Sequence, residues 1–401
     1  MVMKSVMHYS ETFTIDINRV GTNSVKWDLE ASGDSSAFAS SIADLDFAVT
    51  PEVVNALMKR MGHPTFGYTF VGDEAYEAVA EWYRNLHGLH LTRENIILLP
   101  FGPRAALQFI ARTMIRRDDI ILVPSPTYPG LLRLGMSSNA TLIEWPMVFS
   151  RDKYRLNLDW LRTNTAFLKP TILALCNPNN PLGAVVDRSD LSAALEIISG
   201  ESGSIRLLLS DEVHGDLIHP PGIHHSALLV ENSIETVVLS SVGKTFNLSG
   251  LSTSYLITRS STLSTELKRY LDTEGFYEGS LFGCIAQTAA LKEGRPWRDK
   301  LVVHLAESAS TLNQMLLTSH SGLSAIIPEA SFLLWVDYRR TGLTEAEIIE
   351  ALRDARVSIQ PGSRFGIGGE GFIRFNFGCS IPRAMAGMQS IIDVVQKIRS
   401  G

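Results

Sequence analysis

Long apolar runs are missing from this chain. No segment approaches the ~18 uninterrupted apolar residues of a membrane-spanning helix, and residues 1–20 are polar and mixed, without the apolar stretch of a signal peptide. Cysteine is scarce. Cys176, Cys284 and Cys379 are odd in number and far apart, which excludes both a disulfide framework and a zinc motif. Positive charge is not in excess either: the net charge is −6, the pI is near 6.0 and no basic run stands out, which argues against a nucleic-acid surface. Internal repeats and low-complexity linkers are also lacking. These absences lead us to expect a protein of the reducing cytoplasm that needs neither membrane, nucleic acid nor metal.

What is present describes a large folded core. The 401 residues are 45% hydrophobic and 19% charged, enough for two domains or for one large domain with an appendage. Short apolar runs recur at Ile96–Leu99, Ile120–Val123, Thr141–Glu144, Ile172–Leu175, Leu207–Ser210, Val237–Ser240 and Tyr255–Ile257. Amphipathic stretches such as Arg104–Arg116, Arg188–Ser199 and Leu263–Leu271 lie between them. Nearly all-apolar strands alternating with helices indicate a mostly parallel sheet covered on both faces. The expected fold is therefore a three-layer α/β core with a seven-stranded sheet. Beyond residue 290 the pattern changes to a long helix (Trp297–Leu317), the strand Phe332–Val336, the helix Thr344–Asp354, strands around Val357–Gln360 and Phe372–Phe375, and a last helix to about Ile398. That order reads as a smaller α+β domain. The expected division is a large domain over residues 51–290, with residues 1–50 and 291–401 forming the small one.

Open parallel sheets bind ligands beyond the carboxyl ends of their strands, so the residues standing there carry the functional information. Lys244 closes the apolar strand and Ser/Gly turn of Thr236-Val-Val-Leu-Ser-Ser-Val-Gly-Lys244. By itself such a lysine is most often a solvated surface residue, but a desolvated amine at a strand end can form a Schiff base with a carbonyl. Phe101-Gly-Pro-Arg-Ala-Ala106 opens a helix, whose N-terminus suits a phosphate or is an ordinary turn. The loop Pro124-Ser-Pro-Thr-Tyr128 aims an aromatic ring, for stacking or for the core. Asn177-Pro-Asn-Asn180-Pro-Leu-Gly183 is a rigid polar loop that holds Asn180.

Asp211-Glu-Val-His214 places a carboxylate at a buried strand end, where it needs a cation or donor. His214 reads either as a structural histidine or as part of the site. It crowds with His219, His224 and His225, whose Pro220-Pro221-Gly222 surroundings indicate a surface loop rather than a metal site. Arg374, inside the apolar strand of Gly371-Phe-Ile-Arg-Phe-Asn376, requires an anionic partner, naturally a carboxylate. A Schiff-base lysine, a carboxylate, an asparagine, a stacking ring, phosphate donors and a carboxylate-binding arginine make the inventory for pyridoxal phosphate acting on an amino acid.

These residues resemble those of fold-type I pyridoxal-phosphate enzymes of the class I/II aminotransferase family, over nearly the whole chain. Closest is the cystathionine β-lyase-like C–S lyase subgroup. The carrying stretches are Ile42-Ala-Asp-Leu-Asp-Phe47, Phe66-Gly-Tyr-Thr69, Cys176-Asn-Pro-Asn-Asn-Pro-Leu-Gly183, Ser210-Asp-Glu-Val-His-Gly-Asp-Leu217, Gly243-Lys-Thr-Phe-Asn-Leu-Ser-Gly-Leu251, Phe332-Leu-Leu-Trp-Val-Asp337 and Gly371-Phe-Ile-Arg-Phe-Asn376. His214 narrows the likeness, since aminotransferases usually carry tyrosine there. The resemblance implies that Lys244 holds the cofactor as a Schiff base and Asp211 keeps its ring nitrogen protonated. Asn180 would bond the ring hydroxyl and help to hold substrate, while Tyr128 would stack on the ring. Ser241 and the amides of Ala105 and Ala106 would hold the phosphate, and Arg374 the substrate carboxylate. Tyr68 would reach the neighbouring subunit's phosphate, giving a homodimer with shared active sites.

The implied reaction is α,β-elimination from a cysteine S-conjugate, releasing a thiol, pyruvate and ammonia. Transamination, or a decarboxylating or deaminating variant, is the alternative. A non-catalytic regulator on the same fold is not expected, because such regulators usually carry an extra DNA-binding module and these residues show no spare length or basic patch for one. Three departures from the family pattern stand out. Ser252 replaces a phosphate-site arginine eight residues after the lysine, Asn179 and Ala184 replace histidine and arginine, and Ser331-Phe332 replaces a Thr-Tyr pair. These changes shift the expectation away from cystathionine toward another S-conjugate, in a pocket bounded by loops near Thr273–Phe282 and Ala43–Phe47.

Overall fold

The computed structural model describes residues 12–150, 152–202, 205–276 and 279–400. Tyr277 and Glu278, inside one of the two loops expected to bound the substrate pocket, lie outside the described residues.

All seven expected core strands form: β1 (Ile96–Leu99), β2 (Ile120–Ser125), β3 (Thr141–Pro146), β4 (Ile172–Cys176), β5 (Leu207–Asp211), β6 (Glu235–Ser240) and β7 (Ser254–Ile257). They make one sheet in the order β1-β7-β6-β5-β4-β2-β3. Every pairing is parallel except those of β7, which runs antiparallel to both neighbours.

Both faces of the sheet are buried, and alternate residues of each strand enter different cores. Leu173, Leu175 and Leu208 face one core; Ile172, Ala174, Leu207 and Leu209 face the other. A strand wet on one side would alternate apolar with polar; the strands other than β3 have no such wet side, hence their apolar runs, whereas edge strand β3 is largely half-buried and carries Glu144. Helices α1 (Asp73–His87), α2 (Pro103–Met114), α3 (Arg188–Ser202), α4 (Ser261–Thr273) and α5 (Leu281–Glu293) supply the outer layers. The apolar stripes of α2 and α4 fill the second core, and those of α1, α3 and α5 the first.

The second sheet is antiparallel: β8 (Ser324–Ala325), β9 (Leu333–Asp337), β10 (Gln360–Pro361) and β11 (Phe372–Asn376), in the order β8-β9-β11-β10. Helices Arg295–Ser319 and Ile381–Ser400 flank it in sequence. Residues 38–39 pair in parallel with Val357–Ser358, tying the amino-terminal arm to this region. We propose that the domain division falls near residue 290, between the two sheets.

The segment Ser40–Phe47 connects the two halves through its own backbone. Its carbonyls accept from Arg374 and Asn376 on β11, and from Asn247 in the loop after β6. On its other side a buried ion pair, Lys26 Nζ to Asp46 Oδ2 at 2.7 Å, anchors the arm, and Trp27 Nε1 donates to the same carboxylate. This strap is the roof of the cavity described next.

Candidate active site

The order of strands reverses between β2 and β4, because β3 lies to one side and β5, β6, β7 and β1 to the other. A crevice forms at such a switch point, beyond the carboxyl ends. Here it is a cavity of about 630 Å³. Tyr128 enters it from the loop after β2, Asn180 from the loop after β4, Asp211 and His214 from the end of β5, Lys244 from the turn after β6, and Arg374 from β11. These six, expected from sequence, are brought together.

Lys244 sits in the short helical turn Val242–Thr245, whose first residue is capped by Ser241. Its Nζ donates to the carbonyl of Ala43 in the strap, at 2.6 Å. Burial lowers its pKa; Asp44 and Asp211 pull it back and Arg374 pushes it further down, so the amine is readier to lose its proton than a surface lysine. Asp211 is fully enclosed and accepts from the Val213 amide at 3.3 Å. Burial drives its pKa from 3.8 up to about 7, with the Lys244 charge working against that rise.

Arg374 donates through Nη1 to Asn180 Oδ1 at 3.1 Å and through Nη2 to the Ser41 carbonyl at 2.5 Å. Its Nε is buried with no partner among the described residues, and no carboxylate faces the guanidinium. Burial depresses its pKa to about 10. Asn180, holding Arg374 with its oxygen, keeps its NH₂ group to donate. His214 Nδ1 is hydrogen-bonded to Ser331 Oγ at 2.9 Å, and its ring rests against Phe332. Burial and the charges of Lys244 and Arg374 push its pKa down to about 3, so the imidazole is neutral at pH 7. The Tyr128 ring lies so close to Gly130 that a Cβ there would sit 2.3 Å from a ring carbon, so a side chain at Gly130 would displace the ring.

The other expected residues lie around the cavity rather than in its lining. The amides of Ala105 and Ala106 do not face the cavity: both donate to the carbonyl of Gly102 at 3.0 Å, closing the first turn of α2. Pro103 has no N–H, so Arg104 carries the first-turn amide left open, and Arg104 does line the cavity. Ser241 Oγ is buried, donating to Thr253 O at 2.7 Å and accepting from Gly243 N. Tyr68 stands apart from this cavity, 93% exposed on a stretch with Phe66 and Phe70. In the histidine-rich segment Pro220–Ile223 form the expected exposed loop, but His219 and His224 on either side of it point inward. His219 is buried between the carbonyls of Pro328 and Ser331, and His224 is buried against Glu212, because both find polar partners inside. The described residues contain no cluster of metal-ligating side chains.

Sequence reasoning missed Arg133, Arg364, Gln360 and Gln108 among the lining residues. Gln108 lies four positions after Arg104 and shares its helix face, a signal that was available. Arg364 and Gln360 reach the cavity only because β10 packs beside β11. Behind the cavity lies a second missed set. Glu212 accepts from Ser210 Oγ, Ala227 N and His224 Nε2 at 2.8–3.0 Å. Asp216 accepts from Trp82 Nε1 and Thr245 Oγ1 and pairs with His87.

Residues 40–388 match the family model for aminotransferase class I and II. The chain is 30% identical over 381 residues to cystathionine beta-lyase PatB of Bacillus subtilis (strain 168), covering 93% of this chain and 97% of that protein. It is 26% identical to the protein MalY of Escherichia coli (strain K12), covering 96% and 99%. In fold it matches cystalysin from Treponema denticola, a crystal structure that contains pyridoxal 5'-phosphate, with a TM-score of 0.89 at 23% identity, over 96% of this chain and 99% of that one.

Proposed function

Since this chain belongs to the aminotransferase class I and II family, we propose that it is a pyridoxal-phosphate-dependent carbon–sulfur β-lyase, eliminating a thiol from a cysteine S-conjugate to leave an enamine that water hydrolyses to pyruvate and ammonia. One observation carries the reading. Asp211 and Arg374 are buried charges without the partners burial demands, and both open onto the cavity that holds the Lys244 amine. A pyridinium N–H and a substrate α-carboxylate are the complements of those two groups. The relatives named cystathionine beta-lyase favour elimination over transamination.

Pyridoxal phosphate supplies an aldehyde for amine exchange and a protonated ring that draws electrons from Cα. The chain supplies the rest. Lys244 would hold the cofactor, and its free Nζ would take the Cα proton and return it to the departing sulfur, a role its lowered pKa suits. Asp211 would keep the ring nitrogen protonated, Asn180 would donate to the ring oxygen, and Tyr128 would face the ring. Arg374 orients the α-carboxylate through its Nε side. For the phosphate, the open amide of Arg104 takes the part first expected of Ala105 and Ala106, and Ser241 contributes by turning its hydroxyl from Thr253. Exposed Tyr68 contributes to the phosphate site of a second copy, making the enzyme a homodimer with shared sites. Among the described residues no helix is long and apolar enough to cross a membrane; a cytoplasmic location is part of the proposal.

The test is product analysis with cystathionine and a set of S-alkylcysteines. Free thiol and pyruvate in equal amounts are expected. A keto acid that keeps the sulfur substituent would replace the lyase reading with transamination. Lys244→Ala is expected to abolish turnover and the covalent attachment of cofactor, read by absorbance after borohydride reduction.

A further inference from the structure

The charge lining the cavity exceeds what cofactor and amino-acid backbone consume. Arg104, Arg133, Lys244, Arg364 and Arg374 face it, against Asp211 as the one carboxylate among the described lining residues. On the proposed function Asp211 is matched by the ring nitrogen and Arg374 by the α-carboxylate. Arg104 belongs to the phosphate. Two residues before it, Gly102 lies beside Ser252, where the family resemblance puts an arginine: a Cβ on Gly102 would be 3.9 Å from Ser252 Cα.

Arg364 and Arg133 are left. Arg133 follows the short helix Pro129–Leu132 beside Tyr128, on the ring side of the cavity. Arg364 stands at the substrate end. It occupies the turn Gly362–Phe365, and the Phe365 ring lies 5.1 Å from the Arg374 guanidinium, which also feels the Arg364 charge. No ion pair ties Arg364 to the protein among the described residues. The nearby carboxylates are committed: Glu144 accepts from Ser125 Oγ and the Ile367 amide, both at 2.6 Å, and Glu345 accepts from Ser363 Oγ at 2.6 Å. Two arginines close together without an intervening carboxylate are complementary to a ligand with two anionic groups, one held by each.

We propose that Arg364 binds an acidic group on the sulfur substituent, so that the enzyme selects cysteine S-conjugates carrying a negative charge beyond the sulfur. This rests on the lyase reading. It does not depend on which acid the substituent carries: a carboxylate one or two carbons past sulfur presents the same oxygens to the guanidinium fork.

The experiment compares S-(carboxyethyl)cysteine with its near-isosteric amide S-(carbamoylethyl)cysteine and with S-(aminoethyl)cysteine, on the cofactor-loaded protein. Thiol release gives kcat/KM, and the change in cofactor absorbance on mixing gives affinity independently. The acid is expected to exceed the amide by about tenfold or more, with the amine poorest, and high salt to erode the gap. Arg364→Gln, at an exposed position, should bring the acid-to-amide ratio close to one, while Arg364→Lys keeps part of it. A wild-type ratio near one overturns the proposal, as does a ratio that survives Arg364→Gln or collapses only in Arg133→Gln. If no conjugate yields thiol, the lyase reading fails, and the affinity ratio still decides whether Arg364 selects acids.

Discussion

Asp211, Glu212 and Asp216 share one short segment and are almost equally buried, at 2%, 3% and 5% exposure, yet their electrostatics are opposite. Asp211 faces the cavity and is pushed up to about 7. Glu212 and Asp216 face away. Burial raises them too, but His224 overcomes it for Glu212, and His87, Trp82 and Arg298 overcome it for Asp216, so both lie below the usual carboxylate range. Depth is the same on both sides of the strand end; the supply of donors is not. A buried carboxylate with three donors is a finished structural feature. One with a single long hydrogen bond is a demand that a ligand must meet, and that separates the binding face from the supporting one.

The comparison is broken most directly by exchanging the properties of the two faces. Asp211→Asn is expected to cost about 10²–10³ in kcat/KM, because the ring nitrogen loses its counter-charge. The fold should remain intact by circular dichroism. Asp216→Ala should do the reverse in kind: it leaves the His87 ring, Trp82 Nε1 and Thr245 Oγ1 without their acceptor, and breaking a buried pair costs about 3–5 kcal/mol of stability. Urea unfolding of the cofactor-free protein measures that cost. Because Thr245 adjoins Lys244, a smaller loss of turnover should accompany it.

The pH dependence of stability sharpens the contrast. Asp211 has a folded pKa above its unfolded one, so between about pH 4 and about pH 7 the folded state binds the extra proton. Its contribution is therefore full below that window and lost as pH rises through 7. Asp211→Asn should remove this loss: cofactor-free variant and wild type should melt together near pH 4, and the variant should melt higher at pH 8. Glu212 and Asp216, with depressed pKa values, act with the opposite sign. Their contribution is present above the ordinary carboxylate range and is lost as pH falls through their lowered values. The smallest expected effect is that of Ser331→Ala, which takes away one hydrogen bond to His214 Nδ1 at a net cost of about 1 kcal/mol. It should slow turnover a few-fold, as the ring loses its fixed orientation.

Legibility in the sequence followed the length scale of each feature. Six of the seven core strands were readable because a strand buried on both faces has a run of apolar residues. Lys244, Asp211, Asn180 and Tyr128 were readable because each stands at or just past the end of such a run, and Arg374 because it is a charge inside one. The supporting network was not. His87, Trp82 and Arg298 reach Asp216 across 129, 134 and 82 positions respectively, and no local pattern encodes a meeting at that separation. His219 and His224 looked like a surface loop for the same reason: Pro220-Pro221-Gly222 reports local turn chemistry, whereas their burial is decided by Glu212 and by the carbonyls of Pro328 and Ser331. The expectation for the amides of Ala105 and Ala106 points one or two residues past Arg104, since a helix N-terminus is visible in sequence but the bonds its first amides make are not.

Taken by itself, the sequence determined the layered α/β core and the residues standing at its strand ends, since period, apolar content and turn chemistry are properties of neighbouring residues. Only the tertiary structure decided which of those residues share a cavity, which buried charges arrive there without partners, and that Arg364 joins Arg374 at its substrate end. Those are matters of long-range packing. They depend on the strap Ser40–Phe47 bringing the loop after β6 and strand β11 together, and that contact spans most of the chain.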